Sequence, residues 1–249
     1  MNSGYARRVS AETLDGLAED DPAAIHSRRD LQRVHRAMGT RSILLRALRG
    51  LLPSPVRSTR LRILELGAGD GSLLLGVARA LAQECPQVEL TLLDRQSLVT
   101  PATRASYANL GWSVVPMVVD ALDWAAGAAK IVVEDAHPQR WDLIVANLFL
   151  HHFEGTQLAT LLAAVAARSE RFFACEPRRN RFALLASHLV GALGANAVTR
   201  EDAVLSVHAG FRGLELTAAW PGPADDWQLR ESSIGLFSHA FTAVRAGTL

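Results

Sequence analysis

Lysine is almost missing from this chain: Lys130 is the only one among 26 basic residues, and arginine supplies the rest. Against 25 acidic residues the formal charge is only +1, which excludes a dedicated polyanion binder held by net charge. Cysteine is equally scarce. Cys85 and Cys175 stand alone, without metal-ligand spacing, so a disulfide scaffold is excluded and each reads as a buried thiol. No apolar run approaches the ~18 residues of a membrane span, and the opening M-N-S-G-Y-A-R-R has no apolar export core. The expectation is a cytoplasmic protein without a membrane span. What the chain has in quantity is apolar material: 49% of 249 residues, enough for the core of one α/β domain with some additional helix.

Arg62 to Ser72 reads R-I-L-E-L-G-A-G-D-G-S. Ile63, Leu64 and Leu66 predict a buried parallel strand, the run from Leu73 predicts a helix, and Gly67, Gly69 and Gly71 form the turn between them. Glycine suits a place where the backbone bends sharply and a ligand lies against it, facing the first amides of the next helix. The third glycine follows the second by two residues, not by the three of the G-x-G-x-x-G dinucleotide pattern. Glu65 stands two residues before the first glycine. A carboxylate there suits a ligand with an ammonium group and would repel a pyrophosphate.

From Leu61 onward strand and helix patterns alternate: strands over Leu61–Leu66, Val88–Leu93, Val114–Val119, Trp141–Ala146 and Phe172–Cys175, with helices over Ser72–Glu84, after Thr100, after Leu122, over Thr156–Arg168 and over Asn180–Leu193. This rhythm predicts a doubly wound, Rossmann-like parallel sheet with ligands at the carboxyl ends of its strands. Beyond Gly194 the pattern changes. Val204–Gly213 has no clear type, Leu214–Trp220 alternates like a strand, and Phe241–Arg245 reads as a terminal strand. Residues 1–58 carry no strand pattern. An acid cluster, Glu12, Asp15, Glu19, Asp20 and Asp21, precedes two amphipathic helices joined at Gly39-Thr40 and ended by Pro53 and Pro55. Arg28, Arg29, Arg33, Arg36, Arg41, Arg46 and Arg49 read as their solvated face, without the aromatic platform of a nucleic-acid site.

Three strand ends carry polar candidates. Asp94 closes the second strand, 23 residues after Gly71, where a carboxylate can accept from both hydroxyls of a ribose or serve as a plain loop acid. Asp120-Ala121 closes the third, where Asp120 is either a ligand acceptor or a helix cap. Asn147 closes the fourth, in W-D-L-I-V-A-N-L-F-L-H-H-F, and the fifth ends in A-C-E-P-R-R-N-R-F.

Glu65, Gly67, Gly69 and Gly71 match E/D-x-G-x-G-x-G, and the chain resembles the class I S-adenosylmethionine-dependent methyltransferases over about 61–249. The resemblance implies a seven-stranded sheet ending in an antiparallel pair, S-adenosyl-L-methionine as cofactor, and residues 1–58 as a helical lid over a 59–249 domain. It implies Asp94 on the ribose, Asp120 on the adenine amino group, Ala121 through its amide, Trp124 or Leu122 against the ring, and Asn147 beside the methionine moiety and the acceptor. The segment around Asn147 is similar to the quinone methyltransferase branch and lacks N-P-P-Y, which counts against base or glutamine methylation. No ligand set like that of the metal-dependent catechol enzymes is found, so a metal-free mechanism is expected. The run from Asn196 to Pro221, with C-E-P-R-R before it, is similar to methyltransferases encoded beside type III polyketide synthases.

In-line methyl transfer needs alignment, a dry pocket and a proton acceptor. For a phenolic hydroxyl a neutral imidazole is the natural base. His152 and His151 stand in the right segment, His152 slightly preferred, with His208 and then His239 as further candidates; a metal held by His151 and His152 is not expected, because adjacent side chains point apart. Glu176 is placed to reach the acceptor or support the base. Arg178, Arg179 and Arg181 open a helix, where cations are disfavoured, and suit either an acidic acceptor or surface pairing. The expected activity is O-methylation of a small aromatic or polyketide-derived metabolite. Carbon or nitrogen methylation of a quinone-like molecule is the alternative, an RNA modifier and a non-methylating protein on the same fold being more remote. The expected partner is a phenolic or quinone-like small molecule, not a nucleic acid, and a homodimer is compatible.

Overall fold

The computed structural model describes residues 6–52, 60–127 and 140–247. Pro53, Pro55, Lys130 and the segment boundary at 58/59 lie outside them. Three helices precede the sheet: α1 (Thr13–Gly16), α2 (Pro22–Met38) and α3 (Thr40–Leu51). Asp21 starts α2 by accepting from the amides of Ala23 and Ala24, with Pro22 in the first turn. Gly39, at φ 68°, ends α2 and begins α3. The left-handed glycine makes this joint, and the Thr40 hydroxyl beside it is buried without a partner.

The alternating region folds as β1 (Leu61–Leu66), α4 (Ser72–Leu81), β2 (Val88–Asp94), α5 (Pro101–Ala108), β3 (Trp112–Val118), α6 (Ala121–Ala125) and β4 (Leu143–Asn147). A 3-10 turn (Leu150–His152), α7 (Gly155–Arg168), β5 (Arg171–Pro177) and α8 (Arg181–His188) follow, then a second 3-10 turn (Val190–Leu193), α9 (Ala197–Ala209), α10 (Glu215–Ala219), β6 (Trp227–Ile234) and β7 (Ser238–Arg245). The seven strands lie in the order β3-β2-β1-β4-β5-β7-β6. β1 to β5 are parallel, and β7 runs antiparallel to both β5 and β6. The expected doubly wound sheet is therefore present. The chain winds outward from β1 through β2 to β3, then returns to β4 on the other side of β1. The carboxyl ends of β1 and β4 thus flank the switch point, where such sheets place ligands.

Alternation along β1 divides the core. Leu64 and Leu66 pack with Trp124, Leu161 and Leu162 on one face. Ile63 packs with Leu44, Leu48, Leu74 and Val77 on the other, so α3 covers the sheet beside α4. Among the described residues no helix is long and apolar enough to cross a membrane.

The end of the chain departs from expectation. Leu214–Trp220 is not a strand: Leu216 and Trp220, four apart, face the core from the short helix α10, whose first amides donate to Glu231. The period-2 reading failed because one helical turn and a short strand bury similar residues. The untyped stretch belongs mostly to α9, started by Asn196 capping the Thr199 amide. The helix expected over Asn180–Leu193 divides into α8 and the second 3-10 turn, and that over Ser72–Glu84 ends at Leu81. β6, a half-exposed edge strand, has no clear signal in the sequence. It forms the antiparallel terminal pair with β7, one strand later than Leu214–Trp220 suggested.

The terminal hairpin closes the core with an aromatic group: Phe241 lies 5.3 Å from Trp220 and 6.1 Å from Phe172, ring to ring. Phe241→Ala should cost about 3 to 5 kcal/mol in urea unfolding. A loss under about 1 kcal/mol would mean that the hairpin is not part of the core.

Candidate functional site

At the end of β1 the chain passes through three left-handed glycines, Gly67 at φ 66°, Gly69 at φ 56° and Gly71 at φ 72°. Each meets a different constraint. A Cβ at Gly67 would collide with the Phe149 ring, and one at Gly71 would come 2.8 Å from Leu92 Cδ1, while one at Gly69 would meet open space. The bend is tied down from neighbouring elements. The Ala68 amide donates to the Leu93 carbonyl (3.0 Å), the Gly69 amide to Asp94 Oδ2 (2.8 Å), and the Tyr107 hydroxyl to the Gly71 carbonyl (2.8 Å). Asp94, expected as a ribose acceptor, thus anchors the loop, and its Oδ1 accepts from the Gln96 amide (2.9 Å). Each oxygen retains a second lone pair for a ligand.

Glu65 is 3% exposed, and its Oε2 has no partner. Burial, with Asp70 and Asp94 adding like charge, pushes its carboxyl up to about 8. Asn147, one step beyond the Leu66–Ala146 pair on the adjacent strand, is likewise buried, with Oδ1 unpartnered. Two buried acceptors therefore stand at the switch point beside the glycine bend. Asp120 is exposed and caps α6 by accepting from the Leu122 amide (2.7 Å), with Ala121 the first helical residue. Trp124 does not lie over this site. Its ring is in the core, 6.0 Å from Trp141 and beneath the Arg168 guanidinium.

Past Asn147 the backbone takes an unusual course. Leu148, at φ 49°, is the only left-handed non-glycine among the described residues, a costly conformation for a leucine. The turn sends Phe149 over Gly67 and directs three consecutive amides at one carboxylate. Glu176, fully buried at the end of β5, accepts from the amides of Phe149 (3.1 Å), Leu150 (2.9 Å) and His151 (3.3 Å), and from His151 Nδ1 (2.8 Å). His151 Nε2 faces Glu12 Oε1 at 3.3 Å. Burial opposes a charge on this ring, but hydrogen bonds to Glu12 and Glu176 outweigh it and raise its pKa to about 9. His152 behaves oppositely: burial and the neighbouring His151 charge lower its pKa, although Asp15 Oδ2 lies 3.3 Å from its Nδ1. The two rings do not point apart as expected. Their centroids are 4.3 Å apart, and ligand atoms of Glu12, His151 and His152 fall within 4.8 Å of one another.

Glu12 and Asp15 belong to an N-terminal strap that crosses the carboxyl edge of the sheet. Arg7 donates to the carbonyls of Ala209 (2.7 Å), His151 (3.1 Å) and Phe153 (2.9 Å), and Asp202 accepts from the amides of Thr13 (2.7 Å) and Leu14 (2.9 Å). Further along, Leu17 and Glu19 accept from Gln96 Nε2 (3.1 Å) and the Ser97 amide (2.6 Å), just past Asp94. The acid cluster was visible in the sequence. Its pairing with His151, across 139 residues, was not, because no local pattern encodes it.

The other candidates lie off this centre. His208 is on the last turn of α9, where its carbonyl accepts from the Arg8 amide. His239 is committed to Glu231 (2.7 Å). Arg179 turns inward, buried, to Glu215 and the Gly210 carbonyl, so it is neither an exposed surface arginine nor open to an acceptor.

No family profile matches the chain, and no curated protein matches it in sequence. Solved structures share its fold. An O-methyltransferase family protein from Burkholderia thailandensis has TM-score 0.58 at 16% identity, over 96% of this chain and 64% of that one. The plantazolicin methyltransferase BpumL, solved with monoazolic desmethylPZN analog and SAH, has TM-score 0.58 at 14% identity, over 90% and 91%. The mitomycin 7-O-methyltransferase MmcR has TM-score 0.53 at 17% identity, over 94% and 60%. The chain therefore spans less than two thirds of the first and third of these proteins. At such identities the likeness is one of fold: the Rossmann-like sheet of methyltransferases.

The His151 environment is open to direct measurement. By nitrogen-15 histidine NMR its ring should titrate near 9, and Glu12→Gln should lower that value. The raised pKa contributes stability that is full below about 6.5 and lost as pH rises through the folded value. A ring titrating near 6.5 in both proteins would contradict the double-carboxylate arrangement.

Proposed function

We propose that this chain is a class I S-adenosylmethionine-dependent methyltransferase that methylates an oxygen of a small aromatic or polyketide-derived acceptor without a metal. The observation that carries the reading is the buried, unpartnered Glu65 Oε2 at a triple-glycine bend on the switch point. A ligand bearing an ammonium group satisfies that oxygen; a pyrophosphate does not. Open space before Gly69 admits close approach, Asp94 can add a ribose to its loop contacts, and Asn147 offers its oxygen beside the acceptor position. Asp120, with Ala121 behind it, stands at the adjacent strand end, where an adenine would lie. S-adenosylmethionine, when bound, supplies an electrophilic methyl group on its sulfonium.

The protein's own part is orientation and proton removal. His151 serves as the base in preference to His152, because a buried carboxylate fixes its ring through Nδ1 and leaves Nε2 to exchange protons. Glu12 holds that nitrogen in the present arrangement. When Glu12 swings away, one of the two carboxylates is removed, so the ring loses its Nε2 proton to solvent closer to neutral pH; an acceptor hydroxyl then takes the place of Glu12 and gives its proton to Nε2 as its oxygen takes the methyl group. The strap, as part of the 1–58 lid, keeps water from this step. The type III polyketide synthase likeness and the presence of O-methyltransferases among the structural relatives support oxygen as the acceptor atom.

Titration calorimetry with S-adenosylhomocysteine and with a nicotinamide dinucleotide tests the cofactor. The former should bind, and Asp94→Ala should weaken it by about 1.5 to 3 kcal/mol, as for charge-assisted hydrogen bonds. Capture of the dinucleotide alone would overturn the reading. Incubation with methyl-labelled cofactor and a panel of phenols, quinols and amines identifies the acceptor atom. On a phenol that takes the label, His151→Ala should lose roughly 10²- to 10⁴-fold in turnover, while His152→Ala retains most of it. The reverse order would move the base to His152.

A further inference from the structure

A second surface lies outside the methyl-transfer site and draws on different residues. Between residues 177 and 200 the chain has no aspartate or glutamate but four arginines, of which Arg179 turns inward to Glu215, and Glu201 directly follows Arg200. α8, within this stretch, buries only Ala183 and Ser187. Phe182, Leu185 and Leu189, at helical spacing, are 54%, 61% and 61% exposed. The tip of the β6–β7 hairpin lies alongside. Phe237 stacks on Phe182 with ring centroids 5.9 Å apart, and the Leu236 and Phe237 carbonyls accept from Asn180 Nδ2 (3.3 Å) and the Arg178 amide (2.7 Å). Leu236 is left 55% exposed. Thus four of the nine exposed large hydrophobic side chains among the described residues, Phe182, Leu185, Leu189 and Leu236, belong to α8, its C-cap and the hairpin tip stacked against it. Single exposed leucines are ordinary, but a contiguous strip calls for a partner.

The charges on its rim say which kind. Arg178 is held at one end through the Gly235 carbonyl, Arg181 beside it is exposed with no acidic partner among the described residues, and Arg200 packs against Gly191 at the other end. A second copy of this chain, joined about a two-fold axis at the Phe182 end, would set Arg178 and Arg181 against their own mates, with no acid between residues 177 and 200 to offset them. An anionic lipid surface complements both features at once: acyl chains for the strip and phosphates for its rim.

We propose that the α8 face docks on an anionic phospholipid bilayer, with Phe182, Leu185, Leu189 and Leu236 entering the boundary between headgroups and acyl chains. α8 follows β5, the strand whose Glu176 holds His151. The claim does not depend on the methyl-transfer reading.

Co-sedimentation of the full chain with vesicles tests it, using phosphatidylcholine alone and phosphatidylcholine with about 30 mol% phosphatidylglycerol. Binding should favour the anionic vesicles and weaken on passing from about 0.05 to about 0.3 M salt. Arg181→Ala should lose roughly fivefold in vesicle affinity, the worth of one basic residue near such a surface. The double variant Phe182→Ser, Leu185→Ser should lose roughly tenfold or more. Both variants change exposed positions and should keep wild-type thermal unfolding and S-adenosylhomocysteine affinity. Equal or absent binding to the two vesicle types overturns the proposal. So does a concentration-dependent dimer, seen by light scattering, that the double variant dissolves, because it assigns the face to a second copy.

Discussion

A carboxylate with no access to water has to be matched by donors, and Glu176 is matched by three successive amides and an imidazole. An unpaired charge there would cost several kcal/mol, so the chain after β4 is constrained to bring those donors to it. The left-handed Leu148 is one consequence. Another is the position of Phe149, which closes over Gly67 and requires that residue to lack a side chain. Burial of one acid on β5 thereby joins the glycine bend after β1, the histidine turn after β4 and, through His151, the Glu12 strap. All three meet where the winding of the sheet reverses.

The site pairs two opposed electrostatic settings. Around Glu65, burial and the nearby Asp70 and Asp94 favour a neutral carboxyl. Around His151, two carboxylates favour a charged ring although it is buried, and that charge in turn helps keep His152 neutral. Glu65 and Glu12, and His151 and His152, are thus shifted in opposite directions within one edge of the sheet, a pattern associated with functional sites.

Much of this was legible in the sequence. The strand–glycine–helix unit after Leu61, the strand ends at Asp94 and Asn147 and the alternating rhythm all follow from local periodicity and turn chemistry, and the structure repeats them. Where burial by one helical turn resembles burial by a short strand, as at Leu216 and Trp220, periodicity misled. The edge strand β6, with alternate residues in water, left too weak a pattern to notice. The pairing of Glu12 with His151 and the side-by-side histidine rings arise from tertiary placement, which no spacing along the chain records. Asp120 and Asp94 show the converse. Each makes the backbone contact that a loop or cap acid makes, so their sequence positions describe the local fold as readily as a ligand.

The proposed activity requires Glu65 to accept the ammonium group of a bound ligand. With its carboxyl near 8 in the free protein, it carries a proton at neutral pH and must lose it to form that ion pair. Calorimetry with S-adenosylhomocysteine at pH ~7, in two buffers of different ionisation enthalpy, reads the proton count. Release should approach one proton in the wild type, fade above the Glu65 value and be absent in Glu65→Gln. Binding without proton release, or with release unchanged by that substitution, would contradict it.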